Sequence, residues 1–413
     1  MDRLEVLNLT MMAAAASAAA PSVIAAEIGG KRKDVPERNR RPYSGINWEK
    51  CIQIHTTTHG HCQNAEKLKV YLDRGFGFLT LSNYYPAAPY CPARSMRHGQ
   101  FRVRQDHPVV VNGKRKDGPF LWNDIIEAWK DELPEEQAKS LPFKVGGPMF
   151  PNFPKDMLEA PNAEHSGFKG EHTAAVHLCS PGSAFASGMF DAHDNFKFAT
   201  HGYRPASGEL WNVAIDRMIA GLIYPDGGGV TINHPSWSRL DKDFMLKMLD
   251  HDPRVLGLEA YNFSAGRNNP KRPWARSWSE EWWDYALATG RQCFGFSVSD
   301  WGYRKGVNIL IVPERTVHAC LKAYRDGNFY GAVEGCGKLN FTRIEFNGER
   351  LSVATDKPAR FEVISKQGVI GKGEGGTFAL DRPKGDHVYM RVKAYSTDSS
   401  EETLFTQPFM LEG

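Results

Sequence analysis

The sequence predicts an α/β protein built on a mainly parallel sheet or barrel, followed by a small all-β sandwich. Three observations carry this. Apolar runs of strand length alternate with amphipathic stretches of helical spacing from about residue 52 to residue 325. Beyond Gly337 the helical spacing stops and only short β-rich runs recur. Asn347-Gly348, between the first two of those runs, is a strong hairpin turn.

At 413 residues the chain is long enough for two domains. Its 41% hydrophobic and 24% charged residues are ordinary globular values. A net charge of +3 with no dense basic run gives no support for nucleic-acid binding, and none is expected. Lys114-Arg115-Lys116 reads as an exposed turn after Asn112-Gly113. Seven cysteines without regular spacing or a CxxC pair argue against a disulfide framework and against a zinc ribbon. Ten tryptophans and fourteen tyrosines suit a large cleft, a carbohydrate-facing surface or a plain core.

In chain order, residues 11–26 read MMAAAASAAAPSVIAA, an apolar small-residue run with cleavage positions of the A-x-A type. It has the look of a secretory signal and is too short for a comfortable membrane span. Asp2, Arg3 and Glu5 give no positive bias, so a disordered alanine-rich leader is the alternative. The expectation is export to the periplasm or outside the cell, with residues 1–26 removed and no stable membrane insertion afterwards. Residues 27–47 read as a linker, charged and proline-containing over 31–41. A strand around Ile52 and Ile54 follows, then a helix over 65–74 ended by Gly75, then a strand over 76–81. Residues 85–161 form a long Pro-, Gly- and aromatic-rich insertion, of the kind that makes lids and substrate walls, with a helix over 122–139 interrupted at Pro134. Short strands are expected at 163–165 and 174–178, around the turn 166–171. Helices follow at 209–223, 243–249, 279–289 and 317–325, with strands at 230–235, 255–261 and 293–298. The tail strands are expected at 341–346, 350–353, 361–364, 389–395 and 404–411, as an immunoglobulin-like sandwich.

The stretch Ile52-Gln53-Ile54-His55-Thr56-Thr57-Thr58-His59-Gly60-His61-Cys62 organises the chemistry. A strand runs into three histidines around a glycine, and neutral imidazole is the commonest protein metal ligand. The plain alternative is a polar loop that binds nothing. Glu164, His177, His234 and Asp300 recur at other expected strand ends. In a β/α barrel those ends face one common site. Imidazoles with carboxylates suit zinc, manganese or iron, and a shared carboxylate can bridge two ions. Singly each residue is weak: His234 also fits a hydrogen-bonded corner, Asp300 a helix cap, and Cys62 a small buried residue.

These motifs resemble the PHP (polymerase and histidinol phosphatase) superfamily of metal-dependent hydrolases over residues 48–335, and within it the carbaryl-hydrolase-like branch. Ile54-His55-Thr56-Thr57-Thr58 resembles the first motif, apolar-His-x-His-Thr. Residues 78–84 resemble the second, Pro161-Asn162-Ala163-Glu164 the Pro-Gly-x-Glu of the bridging carboxylate, and Val176-His177-Leu178 and Asn233-His234-Pro235 the next two. Gly257-Leu258-Glu259-Ala260-Tyr261-Asn262 resembles the strand before the last, and Ser299-Asp300 the start of a terminal Ser-Asp-x-His. The resemblance implies a distorted seven-stranded β/α barrel. It departs at Thr57, at Asn83-Tyr84 and at Gly302, where the family carries His, Asp-His and His. The metal ligands it implies are His55, Glu164, His177, His234 and Asp300, with His59 or His61 refilling a lost position. One or two divalent ions (Zn, Mn or Fe) are therefore expected, not three. Glu171 is a rival to Glu164.

The expected activity is that of an exported metal-dependent hydrolase of an ester-type bond, foremost a phosphoester, using metal-activated water. Asp300 or His55 would handle the proton, with Asn83 and Tyr84 at the site rim. The substrate would be a small-molecule or glycan-linked ester. The competing expectation is a non-catalytic metal- or glycan-binding protein on a degenerate barrel. Residues 337–413 hold no ligand cluster and are expected to be accessory.

Overall fold

The computed structural model describes residues 41–62, 65–82, 110–111, 114–115, 153–173, 175–183, 197–198, 205–206, 210–267, 269–301, 305–333, 338–398 and 402–411. The expected leader, Asn83, Tyr84, Gly302 and the helix at 122–139 lie outside them.

Strand β1 (Ile52–Thr56) buries Ile54 and Thr56 and turns His55 the other way. Helix α1 (Ala65–Asp73) ends at Gly75, whose φ of 71° permits the closing bonds Gly75 N to Leu72 O and Phe76 N to Tyr71 O. Strand β2 (Phe78–Leu79) lies parallel to β3 (Leu158–Glu159). Strands β4 (Glu164–His165) and β5 (Leu178–Cys179) pair antiparallel. Then come α2 (Trp211–Ala220), β6 (Val230–Ile232), the short α3 (Pro235–Ser238) and α4 (Lys242–His251). Asp241 caps α4 by accepting from Phe244 N. Strand β7 (Val255–Asn262), buried along its whole length, runs parallel to β6 and to β8 (Phe294–Val298), with α5 (Glu280–Ala288) between them in sequence. Strand β9 (Val307–Val312), helix α6 (Val317–Asp326) and strand β10 (Phe329–Ala332) follow. The sequence reading has no counterpart for β9 or β10.

The tail contributes β11 (Phe341–Phe346), β12 (Arg350–Ser365), β13 (Gly368–Asp381), β14 (Tyr389–Ser396), β15 (Thr403–Phe405) and β16 (Phe409–Met410). Two short ribbons, Val110–Val111 with Lys114–Arg115 and Lys197–Phe198 with Pro205–Ala206, complete the described strands. The expected turn at Asn112-Gly113 lies outside the described residues.

The α/β class stands, but the described strands do not form the expected ring of seven β/α units. They form a nine-stranded sheet, ordered β1-β9-β10-β15-β14-β12-β11 with β13 on β12 and β16 on β14, and a five-stranded sheet ordered β8-β7-β6-β5-β4. In the larger sheet every pairing is antiparallel, including β1 on β9 and β9 on β10, and a parallel β/α ring cannot contain those pairs. Single main-chain bonds cross the seams: Gly77 N to His55 O, Glu164 N to Ser82 O and Asp300 N to His59 O, each 3.1 Å. They bring the ends of β1, β2, β4 and β8 to one place.

The immunoglobulin-like sandwich expected of the tail takes the form of a curled antiparallel sheet. The first half of β12 pairs with β11, and its second half pairs with β14. The change of partner falls at an irregularity between Ala354 and Ala359, where Pro358 lacks the amide a regular ladder needs. Tail and barrel-side residues share cores. One cluster joins Tyr71, Phe76 and Tyr330 to Phe341, Val392 and Phe409. A second packs α2, α4 and α5 on β6 and β7 and takes in Tyr389 and Phe405. Arg391, 1% exposed, bonds Asp284 and Glu280 of α5 at 2.9 Å. No described helix is long and apolar enough to cross a membrane.

Candidate metal centre

Beyond β1 the chain is held by Thr57, whose hydroxyl donates to His59 O at 2.8 Å and accepts from His59 N at 3.2 Å. The chain then bends and bridges to Asp300 through Gly60, and the histidines on either side of that glycine bring their Nε2 atoms within 3.2 Å. Gly60 is required there, because a Cβ would collide with the Tyr71 hydroxyl. Glu164 opens β4, and His177 immediately precedes β5. His234 leaves β6 in a left-handed conformation (φ 30°), and Asp300 leaves β8 in another (φ 54°). Such backbone persists in non-glycine residues only where the surroundings fix it.

These six side chains converge, and all are buried. Glu164 turns each oxygen to a different histidine pair. Its Oε1 lies 2.6 Å from His177 Nδ1 and 3.5 Å from His234 Nε2. Its Oε2 lies 3.0 Å from His61 Nε2 and 3.4 Å from His59 Nε2. Asp300 Oδ1 stands 3.3 Å from His59 Nε2 and 3.4 Å from His61 Nε2. Three groups each place their ligand atoms within 4.8 Å: His59, His234 and Asp300; His59, His61 and Glu164; Glu164, His177 and His234.

The donor set fits a divalent cation. Glu164 Oε2 and Asp300 Oδ1 are buried without a hydrogen-bond partner, an expensive condition for a carboxylate oxygen. The two Nε2 atoms of His59 and His61 lie 3.2 Å apart. A cation among them satisfies both oxygens and both nitrogens, and mixed imidazole and carboxylate ligation suits zinc, manganese or iron. Glu164, shared by two of the groups, has the disposition of a bridging carboxylate.

Charge is concentrated here. Burial opposes a charge on His59, but Asp300, Glu164 and Glu259 outweigh it and raise its pKa well above the ordinary value. Burial likewise opposes ionisation of Glu164, and His59 and His177 outweigh it, holding the carboxyl well below its ordinary range. For His61 burial prevails and lowers the pKa.

His55, expected both as a ligand and as a proton-handling group, is not in the cluster. Its ring lies against the Arg74 carbonyl, with Nδ1 at 3.2 Å, because strand alternation turns it away from the side of Ile54 and Thr56. The histidine pair that meets in the cluster is His59 and His61, four and six residues beyond His55. Glu171 is exposed in a turn, and Cys62 is buried in the apolar core. Three residues at the site were not expected. Glu259 accepts from His59 Nδ1 at 2.7 Å. Trp301 stacks on His61 at 4.3 Å, and Trp237 packs against His234 and His177 at 4.8 and 5.5 Å. The signal for Glu259 is its position: an acidic residue within an otherwise apolar strand is almost never left unpaired.

No protein-family model matches the sequence, and no curated protein matches it. Among solved structures, a two-domain protein from Bacteroides vulgatus ATCC 8482, described as containing a predicted PHP-like metal-dependent phosphoesterase, is similar at 10% identity with a TM-score of 0.39, over 91% of this chain and 99% of that one. A likeness that loose fixes neither fold nor activity, and the cluster rests on its own geometry.

Proposed function

We propose that this chain is a metal-dependent hydrolase of ester bonds, foremost phosphoesters, of the PHP kind. The observation that supports it is Glu164, whose two oxygens face two different histidine pairs. Three groupings would hold one or two ions between them: Glu164, His177 and His234; His59, His61 and Glu164; and His59, His234 and Asp300. Ions so held polarise a scissile oxygen and make a water acidic enough to attack at neutral pH. Asp300 would take the proton at its carboxylate, which Asn262 orients by donating to Oδ2 at 3.3 Å. The indoles of Trp237 and Trp301 keep solvent from the imidazoles. Asn83 and Tyr84 would border the substrate, a small-molecule or glycan-linked ester. Export through residues 1–26 belongs to the same proposal. So does the carbaryl-hydrolase-like branch, which would add carbamates to the substrates.

The test is metal analysis of the purified chain followed by a panel of phosphomonoester, phosphodiester, carboxyl ester and carbamate. Expected is bound metal, with phosphoester turnover that a chelator abolishes and Zn or Mn restores. Bound metal with no turnover on any arm makes the protein a binding module. Turnover confined to the carbamate selects the narrower branch.

A further inference from the structure

We infer that Glu259, acting with Asn262, is the positioning residue of one particular metal position, the one bounded by His59, His234 and Asp300. This rests on the metal-dependent reading above. The three ligands come from separate parts of the chain, and Glu259 reaches two of them directly and the third through Asn262. Its Oε1 accepts from His59 Nδ1 at 2.7 Å. Its Oε2 accepts from the main-chain N–H of His234 at 2.6 Å and from Asn262 Nδ2 at 2.8 Å. Asn262 Nδ2 in turn reaches Asp300 Oδ2 at 3.3 Å. Glu259 is 0% exposed, and its strand neighbours Leu258 and Ala260 pack in the apolar core.

Each contact has a chemical consequence. An ionised carboxylate only accepts, so a cation that displaces the Nε2 proton of His59 leaves the other proton on Nδ1, toward Glu259, and meets the lone pair of Nε2. The bond to the His234 amide pins a residue whose left-handed backbone an unsupported chain would abandon. Asn262 occupies Oδ2 of Asp300 and leaves Oδ1 facing His59 and His61. The metal position held by His59, His234 and Asp300 is therefore tied to Glu259 at all three corners, and the other two groupings at one corner each.

The test uses the full chain, freed of metal and titrated with Zn(II) against a chromophoric chelator, with Co(II) absorption as a second readout. The variants are Glu259→Gln and Asn262→Ala. Glutamine cannot replace the carboxylate. With its carbonyl toward His59, its amide hydrogens meet the His234 amide; turned over, it donates to Nδ1 and moves the proton of His59 to Nε2. Expected for Glu259→Gln is an affinity loss of about 10–100-fold at one position, a smaller change at the other, and an altered Co(II) spectrum. Asn262→Ala should weaken that same position less. A merely structural carboxylate would instead lower the stability of the metal-free protein and leave affinity and spectrum unchanged. Affinities within about threefold of the parent in both variants overturn the inference, as does equal weakening of every position. If Glu259→Gln does not fold, Asn262→Ala decides alone. A parent chain that binds no divalent ion overturns both the metal centre and this inference. A parent that binds metal and hydrolyses nothing overturns only the proposed function.

Discussion

Phe405→Ala tests how far the tail belongs to the core that carries the metal ligands. Phe405 is in tail strand β15, opposite Gly331 of β10. Its ring is fully buried in the cluster that also holds Trp283, Met248 and Leu258, and it meets Trp278 and Trp283 edge to face at 5.7 and 5.5 Å. Removing a buried phenyl ring from a packed core costs about 3–5 kcal/mol. The two lost aromatic pairs add about 0.5–1.5 kcal/mol each, which places this variant at the upper end. Few side chains here can shift to refill the space, because the ring stands over a glycine in the paired strand. The assay is equilibrium urea denaturation of the metal-free chain, followed by tryptophan fluorescence and far-ultraviolet circular dichroism. The expected result is one cooperative transition, moved to lower urea with unchanged slope, the same by both probes. A loss under about 1 kcal/mol would refute the packing argument. Two separated transitions, with only the later one unmoved, would refute the shared core.

Gly331→Ala should cost about 1–3 kcal/mol, because its new methyl would overlap the Phe405 ring, and Phe405→Leu in the same chain should recover part of that loss in a double-mutant cycle. Glu164→Ala should lose more bound metal by elemental analysis than His177→Ala, since Glu164 serves two ligand groups and His177 one; equal losses would contradict the bridging role. Burial opposes ionisation of Glu280, but Arg391 and Lys393 outweigh it and lower its pKa. Its folded pKa therefore lies below its unfolded one, so its contribution to stability is present above the unfolded value and fades as pH falls through the folded one. Acid denaturation curves of the parent and of Glu280→Gln should accordingly converge in the acid range, and curves that stay parallel there would exclude this linkage. Mass spectrometry of secreted protein should find an N-terminus near Glu27, and an intact Met1 in the cytoplasmic fraction would remove the export proposal.

What the sequence reveals here follows from how local each signal is. The amphipathic helices 211–220, 242–251 and 317–326 are readable because spacing, caps and Gly327 all lie within a few residues. That six distant His, Glu and Asp residues share a site is readable from their recurrence at strand ends. Which histidine of 55, 59 and 61 points inward is not, because it depends on the pairing of His55 with Ile309. Glu259 escapes notice for a related reason, since its partners lie 200 residues back and 25 residues back in the chain. Strand β13, which carries Gly371, Gly373, Gly375 and Gly376, has no counterpart among the expected tail strands, yet β12 pairs with it along most of its length. The glycines make room: Phe378 folds over the position where Gly373 lacks a side chain. A parallel ring was expected because helices separate the strands in sequence. The connection from β9 through α6 to β10 shows that a helix can also join antiparallel neighbours.

The pairing of β10 with β15 also orders events in time. When β10 is synthesised, its partner from Thr403 onward is not yet made, and about 70 residues must still be added. At roughly 5–20 residues per second this interval lasts about 4–14 s. Throughout it the outer edge of β10 is an open template, and the pocket that Phe405 will fill stays wet. The nascent chain is then a natural client for chaperones, and a stalled or truncated product ending in the 330s should aggregate instead of accumulating as a smaller folded protein.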